Sequence, residues 1–431
     1  MGRSGRTATG LALAIVYLGA SSTPPASAGD PGYVVVLQDS VRNAAAEIGD
    51  LQRRDGVAPQ LRYASALKGF SAQLTDQQAA RLRGEPAVAY VLPDVTFQAA
   101  GMQSVIAGDA VPVGIRRVGA ATTTLAHGAA NSAVAVLDTG IDLANADLNA
   151  ISGINCVKKG SPAQDDNGHG THVAGIIAGR NNGSGVVGVA PGTKLYAVKV
   201  LGSNGSGTLS QVLCGIDWVS ANAAGLNLAV ANMSLTGGGA DDGNCGRSNN
   251  DPEHQAICKS TTGGVTYVAA AGNGSTALAG SIPAAYREVL TATAMSDSDG
   301  ASGGLGAAPS CKKGERDDSY ATYSNYAVSV SDQAHTLAAP GTCVVSDKRR
   351  GGTAVYWGTS QAAPHVAGAV ALCLGSGGAA GPCAGQTPAQ VIATVRSDAA
   401  AAATVSDGFL GDPLHPLSGR YFGPLVATAG Y

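Results

Sequence analysis

From residue 132 onward, short apolar runs alternate with stretches of helical spacing, and this alternation limits the fold more than any other feature of the 431-residue chain. Residues 134–137, 195–201, 228–235, 265–271 and 289–294 are apolar enough to be strands buried on both faces. Residues 172–178, 209–224 and 252–262, which fall between several of them, carry helical periodicity. Parallel strands need a long crossover and helices supply it, so the pattern predicts a parallel sheet with helices on both faces. In such a sheet the ligand site lies beyond the carboxyl ends of the strands.

A smaller pattern precedes this one. Residues 33–37, 70–74 and 88–92 read as strands and residues 40–54 and 75–82 as helices, a small α+β unit. At under ~70 residues and without cysteine, such a unit has a thin core and needs a partner surface. Residues 102–112 show little periodicity and are expected to be a linker. Ahead of both units, Arg3 and Arg6, an apolar run at residues 11–18 and Ala26-Ser27-Ala28 form the pattern of a cleaved secretory signal. That run is well short of the ~20 residues of a membrane-spanning helix.

Cysteine usage agrees with export. All 8 cysteines lie at or after Cys156, and an even count in an exported chain predicts disulfides. Proximity pairs Cys245 with Cys258 and Cys373 with Cys383, leaving Cys156, Cys214, Cys311 and Cys343 to pair among themselves. No closely spaced Cys/His set suggests zinc. The 27 Lys+Arg against 30 Asp+Glu leave a net charge of −3 with no long basic stretch, so the footprint of a nucleic-acid binder is missing. Glycine is abundant at 61 residues, but it has no three-residue period and 45% of the chain is hydrophobic, which excludes collagen and a disordered tail.

Three segments end in a reactive side chain among small residues. Asp138 follows the apolar run 134–137, where an aspartate also serves as a turn former. His169, in Gly168-His169-Gly170-Thr171-His172, sits just before a helix; alone it is a loop histidine or, with His172, half of a metal site. Ser360 precedes Pro364 and the helical spacing of Val366, Val370 and Leu374, the place of an N-cap. A serine there also stands beside free N–H groups that can receive an oxyanion. Serine is too weakly acidic to attack unaided, an imidazole must take its proton, and a carboxylate must hold the imidazole's tautomer. Asn273, in Ala271-Gly272-Asn273-Gly274, adds an amide donor after a fourth apolar run, although Asn-Gly alone is a turn signal.

The order Asp138, His169, Ser360 is that of the subtilisins and differs from the chymotrypsin and α/β-hydrolase orders. With Asp138-Thr139-Gly140-Ile141-Asp142, the GHGTHVAG run at 168–175, Asn273 and Gly358-Thr359-Ser360 followed by Ala362-Ala363-Pro364-His365, the chain resembles the secreted subtilisin-like serine proteases over roughly residues 132–396. The resemblance implies a subtilisin-like α/β fold, a parallel sheet with helices on both faces, preceded by a small α+β ferredoxin-like propeptide domain. It implies that Asp138 orients the base, His169 is the base, Ser360 is the nucleophile, and Asn273 with the Ser360 N–H forms the oxyanion hole. The expected organisation is a signal peptide at 1–28, an inhibitory propeptide at 29–100, a linker with the processing site at 101–112, a catalytic domain at 113–398 and a tail at 399–431 without an assigned role. The cut is expected between Gln98 and Pro112.

Substrate edges are expected at Gly205 and Gly207 and at Ser234, Leu235 and Gly237, glycine-rich segments that can pair with a peptide as an added strand or be simple loops. Thr236 departs from the family's usual run there. Gln361 stands where relatives commonly have methionine after the nucleophile, which predicts lower sensitivity to peroxide. Asp147 with Asn182 and its glycine-rich neighbours resembles the family's structural calcium loop, and an ordinary turn fits the same residues. No cofactor is expected for catalysis. The expected product is a secreted, monomeric endopeptidase whose partners are protein substrates and its own propeptide, with no nucleic acid or membrane. A catalytically silent peptide binder and a serine esterase are the competing classes; the intact triad opposes the first and the absence of a GxSxG elbow the second.

Overall fold

The computed structural model describes residues 31–63, 68–93, 102–404 and 408–431. The expected signal peptide and residues 94–101, which include the first four residues of the processing window, lie outside the described residues. The chain divides into two compact units, Met1–Gln98 and Ala99–Tyr431.

In the first unit, strands β1 (Gly32–Leu37), β2 (Leu61–Tyr63), β3 (Gly69–Gln73) and β4 (Val88–Pro93) form an antiparallel sheet in the order β2-β3-β1-β4. Helices α1 (Ala44–Asp55) and α2 (Asp76–Arg83) are capped by Asn43 and Thr75. Their apolar residues Ile48, Leu51, Ala79 and Leu82 meet Val35, Phe70, Val88 and Val91 in a single core. The three-residue strand β2 escaped the sequence reading because it is too short to show a period.

The second unit is built on eight strands: β5 (Ala133–Asp138), β6 (Ala150–Asn155), β7 (Leu195–Lys199), β8 (Leu228–Met233), β9 (Thr266–Ala270), β10 (Val289–Ser296), β11 (Ser319–Tyr320) and β12 (Thr336–Pro340). Seven run parallel in the order β12-β10-β9-β8-β5-β7-β6, and β11 pairs antiparallel at the end of β10. Alternation along β5 divides the core. Ala135 and Leu137 face helices α4 (Leu209–Leu226) and α5 (Pro252–Thr262), whose Val212, Ile216, Val219 and Ile257 join them. Val134 and Val136 face α3 (His169–Ala178) and α6 (Thr359–Leu374), with Val173, Ile177, Val366 and Val370.

From β5 the chain passes to the edge strand β6, comes back to β7 between the two, and then crosses to place β8 on the other side of β5. That makes β5 the topological switch point, where crevices form beyond the strand ends. Asp138 is the last residue of β5, and the loops after β8 and β9 carry Ser234 and Asn273.

Four disulfides join Cys156–Cys214, Cys245–Cys258, Cys311–Cys343 and Cys373–Cys383. The two pairings expected from proximity are present, and the remaining four cysteines pair among themselves. Residues 102–110, expected to be a linker, are instead held by the second unit. Met102–Ser104 pairs with Leu125–His127 and Asp109–Ala110 with Gly185–Val186. The Asn181 side chain accepts from Ile106 N at 2.8 Å and donates to Ser104 O at 2.7 Å. Strands of two or three residues leave no periodic trace.

The expected tail is also structured. Helix α7 (Pro388–Ala402) extends past residue 398, and residues 424–426 run along the outer edge of β12, where Ala338 N donates to Pro424 O and Val426 N to Ala338 O, both at 2.9 Å. Phe409 and Phe422 bury against Met295 and Ala338. The segment thus covers an edge strand whose open N–H and C=O groups would invite foreign pairing.

Candidate active site

The first half of the site is the end of β5 with the start of α3. A Cβ on Gly170 would stand 2.1 Å from the Gly140 carbonyl oxygen and 3.1 Å from Asp138 Cβ, so only glycine lets α3 begin against this loop. Gly168, with φ +120°, turns the chain so that the helix starts at His169, three residues earlier than periodicity predicted. His169 Nδ1 then lies 2.8 and 3.0 Å from the two oxygens of Asp138, which is fully buried. Thr139 N donates to Asp138 Oδ1 at 2.7 Å.

Two buried charges missed by sequence reasoning brace this half. Asp165 accepts from Thr139 Oγ1, Asn167 N, Gly168 N and Thr171 N. Lys199 Nζ donates to Thr139 O, Asp166 Oδ1 and Leu201 O at 2.6–2.8 Å. Burial disfavours the imidazolium of His169, but the Asp138 carboxylate outweighs it, with Asp165 adding in the same sense, so the His169 pKa is raised above its ordinary value. His172 belongs elsewhere: its Nε2 donates toward the Val344 and Ala354 carbonyls, its ring stacks on Tyr356, and burial lowers its pKa to about 4. The paired-histidine metal reading is therefore not supported by the geometry.

The second half gathers at the start of α6. Gly358 adopts φ +146° as N-cap, and a Cβ there would stand 3.3 Å from Asn273 Nδ2. Thr359 N and Oγ1 donate to Asn273 Oδ1 at 2.9 and 3.0 Å. Its oxygen is held by these two donors, and the Asn273 side chain lines the cleft with an Nδ2 amide that can donate to a ligand. Pro364 has no N–H to give the carbonyl four residues back, and the freed Ser360 carbonyl accepts from Ser234 Oγ at 2.8 Å. Ser360 Oγ in turn donates to Ser234 O at 3.2 Å. The Ser360 N–H, second in the helix, has no carbonyl acceptor inside it.

Both halves face one cleft of about 640 Å³, lined by His169, Ser360 and Asn273 together with all five expected substrate-edge residues, Gly205, Gly207, Ser234, Leu235 and Gly237. Gly205 has φ +77°, and Gly237–Gly238 pairs antiparallel with Ser281–Ile282. Among the described residues no methionine lines the cleft. Glu253, in the first turn of α5, also lines the cleft and gave no sequence signal.

The expected calcium residues meet at a separate, buried carboxylate pair. Asp147 accepts from Asn182 Nδ2 and Val186 N, both at 3.0 Å. Asn182 thus turns an N–H toward Asp147, and its oxygen accepts from Ser184 N. Asp347, unnoticed in the sequence, stands against Asp147, close enough for the two carboxyls to share a proton, and among the described residues its buried Oδ2 has no other hydrogen-bond partner within normal geometry. Burial and the Asp147 carboxylate push Asp347 up to about 8. Two buried carboxylates with an orphaned oxygen are a donor set suited to a hard divalent cation.

Residues 129–410 match the subtilase family and residues 15–100 the peptidase inhibitor I9 family. Subtilisin NAT of Bacillus subtilis subsp. natto is 35% identical over 325 residues, 74% of this chain and 72% of that one. The alkaline protease of Shouchella clausii is 37% identical over 308 residues, 70% of this chain and 68% of the relative. A crystal structure of a cold adapted subtilisin-like serine proteinase superposes with a TM-score of 0.55 at 26% identity, covering 75% of this chain and 99% of that one.

Proposed function

Since the chain belongs to the subtilase family and is a subtilisin-like serine endopeptidase with an I9 propeptide domain, we propose that Asp138, His169 and Ser360 form its catalytic triad and that it removes its own propeptide. The observation that carries this is the His169–Asp138 pair at 2.8 Å opening onto the same cleft as Ser360 and Asn273. With Nδ1 held by Asp138, His169 offers Nε2 to take the Ser360 proton as Oγ attacks the scissile carbonyl. Asn273 Nδ2 and the Ser360 N–H receive the oxyanion, and the protonated imidazole then protonates the leaving amine. Ser360 Oγ rests on the Ser234 carbonyl in this structure, so a small rotation precedes the proton transfer; catalytic hydrogen bonds are commonly loose without substrate. The edges at 205–207 and 234–237 bind the peptide main chain.

Secretion is part of the proposal: four disulfides need an oxidising compartment, and among the described residues no helix is long and apolar enough to cross a membrane. The protein acts as a monomer on protein substrates, without nucleic acid, membrane or catalytic cofactor. A structural calcium would be held by Asp147 and Asp347 rather than by Asn182, supplying the positive charge that lets both buried carboxylates ionise. Excess chelator then lowers the unfolding temperature of the wild type and leaves that of Asp347→Asn unmoved.

The deciding experiment compares intact mass and N-terminal residue of wild type and Ser360→Ala, both expressed in an oxidising compartment. Wild type is expected to lose the segment before about residue 100 while Ser360→Ala keeps it. If neither is cut, self-processing is refuted; if both are cut, a host protease matures the chain.

A further inference from the structure

His254, in the first turn of α5, is fully buried, and its two ring nitrogens stand in different situations. Nε2 lies 2.8 Å from Glu288 Oε2, and an ionised carboxylate only accepts, so Nε2 carries the proton. In the neutral ring Nδ1 is left with a lone pair, and among the described residues it is buried without a hydrogen-bond partner. It faces Asp242 Oδ1 at 3.6 Å and Asp241 Oδ1 at 3.7 Å. A lone pair turned toward two carboxylate oxygens is repelled by them, and the arrangement becomes favourable only with a positive charge between them.

The structural roles of the neighbours do not supply that charge. Asp241 accepts from Gly243 N and Arg287 Nε, and Asp242 Oδ1 accepts from Asn244 N and Gly246 N, so both aspartates anchor the loop ahead of α5. The Cys245–Cys258 disulfide ties this loop to α5 four residues after His254, on the same face of the helix. The imidazole is stacked on Tyr286 with ring centroids 4.1 Å apart. Among the described residues Arg287 is the cation paired with this group, so Asp241, Asp242 and Glu288 together keep an excess of negative charge around a rigidly held ring.

One ligand atom from each of Asp241, Asp242 and His254 lies within 4.8 Å of the other two. Ligands about 2.0–2.2 Å from a tetrahedral metal stand about 3.3–3.6 Å apart, close to the spacing around Nδ1. An imidazole in the donor set favours zinc or a related transition ion over calcium or magnesium. A metal-bound histidine characteristically donates its other N–H to a carboxylate, as Nε2 does to Glu288. We propose that His254 Nδ1 with the Asp241 and Asp242 carboxylates forms a binding site for a divalent transition-metal ion of the zinc class. The site shares no residue with the Asp147–Asp347 pair, and its metal pins the loop ahead of α5 to that helix. Burial disfavours a charge on His254, but the Glu288 hydrogen bond and charge, with Asp241 and Asp242, outweigh it and raise its pKa. Without metal the pocket draws a proton onto Nδ1, and zinc competes with that proton for the same lone pair.

The test uses the full-length Ser360→Ala protein, to avoid self-digestion, without reductant and with excess calcium to occupy Asp147 and Asp347. Zinc sulfate titrated by calorimetry near neutral pH is expected to bind one-to-one, and nitrogen NMR of labelled histidine to show the His254 Nδ1 resonance move with the zinc added. In the same background Glu288→Gln is expected to weaken zinc binding about 10–100-fold, and Asp241→Asn at least as much, although both leave the imidazole in place. Should either variant fold poorly, the His254 resonances with all other residues intact decide the matter alone. No zinc uptake, zinc bound with those resonances unmoved, or an affinity unchanged in both folded variants overturns the proposal. Both ring nitrogens staying protonated in the presence of zinc would do the same, and would identify the cluster as an imidazolium held by three carboxylates.

Discussion

The two halves of the cleft are assembled in different ways. Asp138 and His169 are 31 residues apart, sit at the end of one strand and the start of one helix, and are already hydrogen-bonded. Ser234, Asn273 and Ser360 come from two loops and the start of α6, spread over 126 residues, and Ser360 Oγ rests on a backbone carbonyl rather than on the imidazole. In the proposed mechanism the first half serves as a preformed acid–base unit, and the second supplies donors around the point where the oxyanion forms, becoming catalytic only when substrate supplies that atom.

The comparison breaks most visibly at the link between the halves. Ser360→Ala and His169→Ala are each expected to lower kcat by about 10⁶, and the double variant by no more than either alone, as known for a subtilisin triad. Additive losses in chromogenic peptide assays would show that the two residues do not act as a unit. Within the first half, Asp138→Asn is expected to cost about 10⁴ in kcat because the imidazole loses its tautomer. In the second half, Asn273→Ala is expected to cost about 10²–10³ in kcat, the magnitude known for loss of one oxyanion donor in a subtilisin, with KM nearly unchanged. A rise in KM alone would assign Asn273 to ground-state binding instead.

The pH dependence belongs to the first half. The base must be neutral to act, so kcat/KM rises with pH through the His169 pKa, and the raised value places that limb above the ordinary histidine range. Removing the Asp138 charge moves the limb to lower pH, measurable on the residual activity of Asp138→Asn. The smallest effect is structural. Ser234→Ala leaves the Ser360 carbonyl without a donor, since Pro364 cannot supply one, and is expected to cost about 1–3 kcal/mol of stability in a denaturant titration.

The same contrast separates what could be read along the chain from what could not. The acid–base half was legible because its chemistry sits in short runs that need particular residues at fixed offsets, with glycines where a Cβ would collide. The parallel sheet was legible because strands buried on both faces are continuously apolar. Asp165 and Lys199 were not, since an aspartate or lysine in sequence looks solvated until the fold surrounds it with partners. The segments 102–110 and 424–426 were missed because their pairing is a few residues long and reaches across the unit.

Sequence alone therefore determined the residue types of the site, their order, the doubly covered sheet and two of the four disulfides. All of these depend on local spacing, which chain chemistry encodes directly. Tertiary structure alone decided that Asn182 gives Asp147 an N–H, that Asp347 completes a buried carboxylate pair, that the last residues seal a sheet edge, and that Glu253 faces the cleft. Each of these turns on which distant groups are brought within a few ångströms, and on burial, which changes what a carboxyl group can do only once water has been excluded.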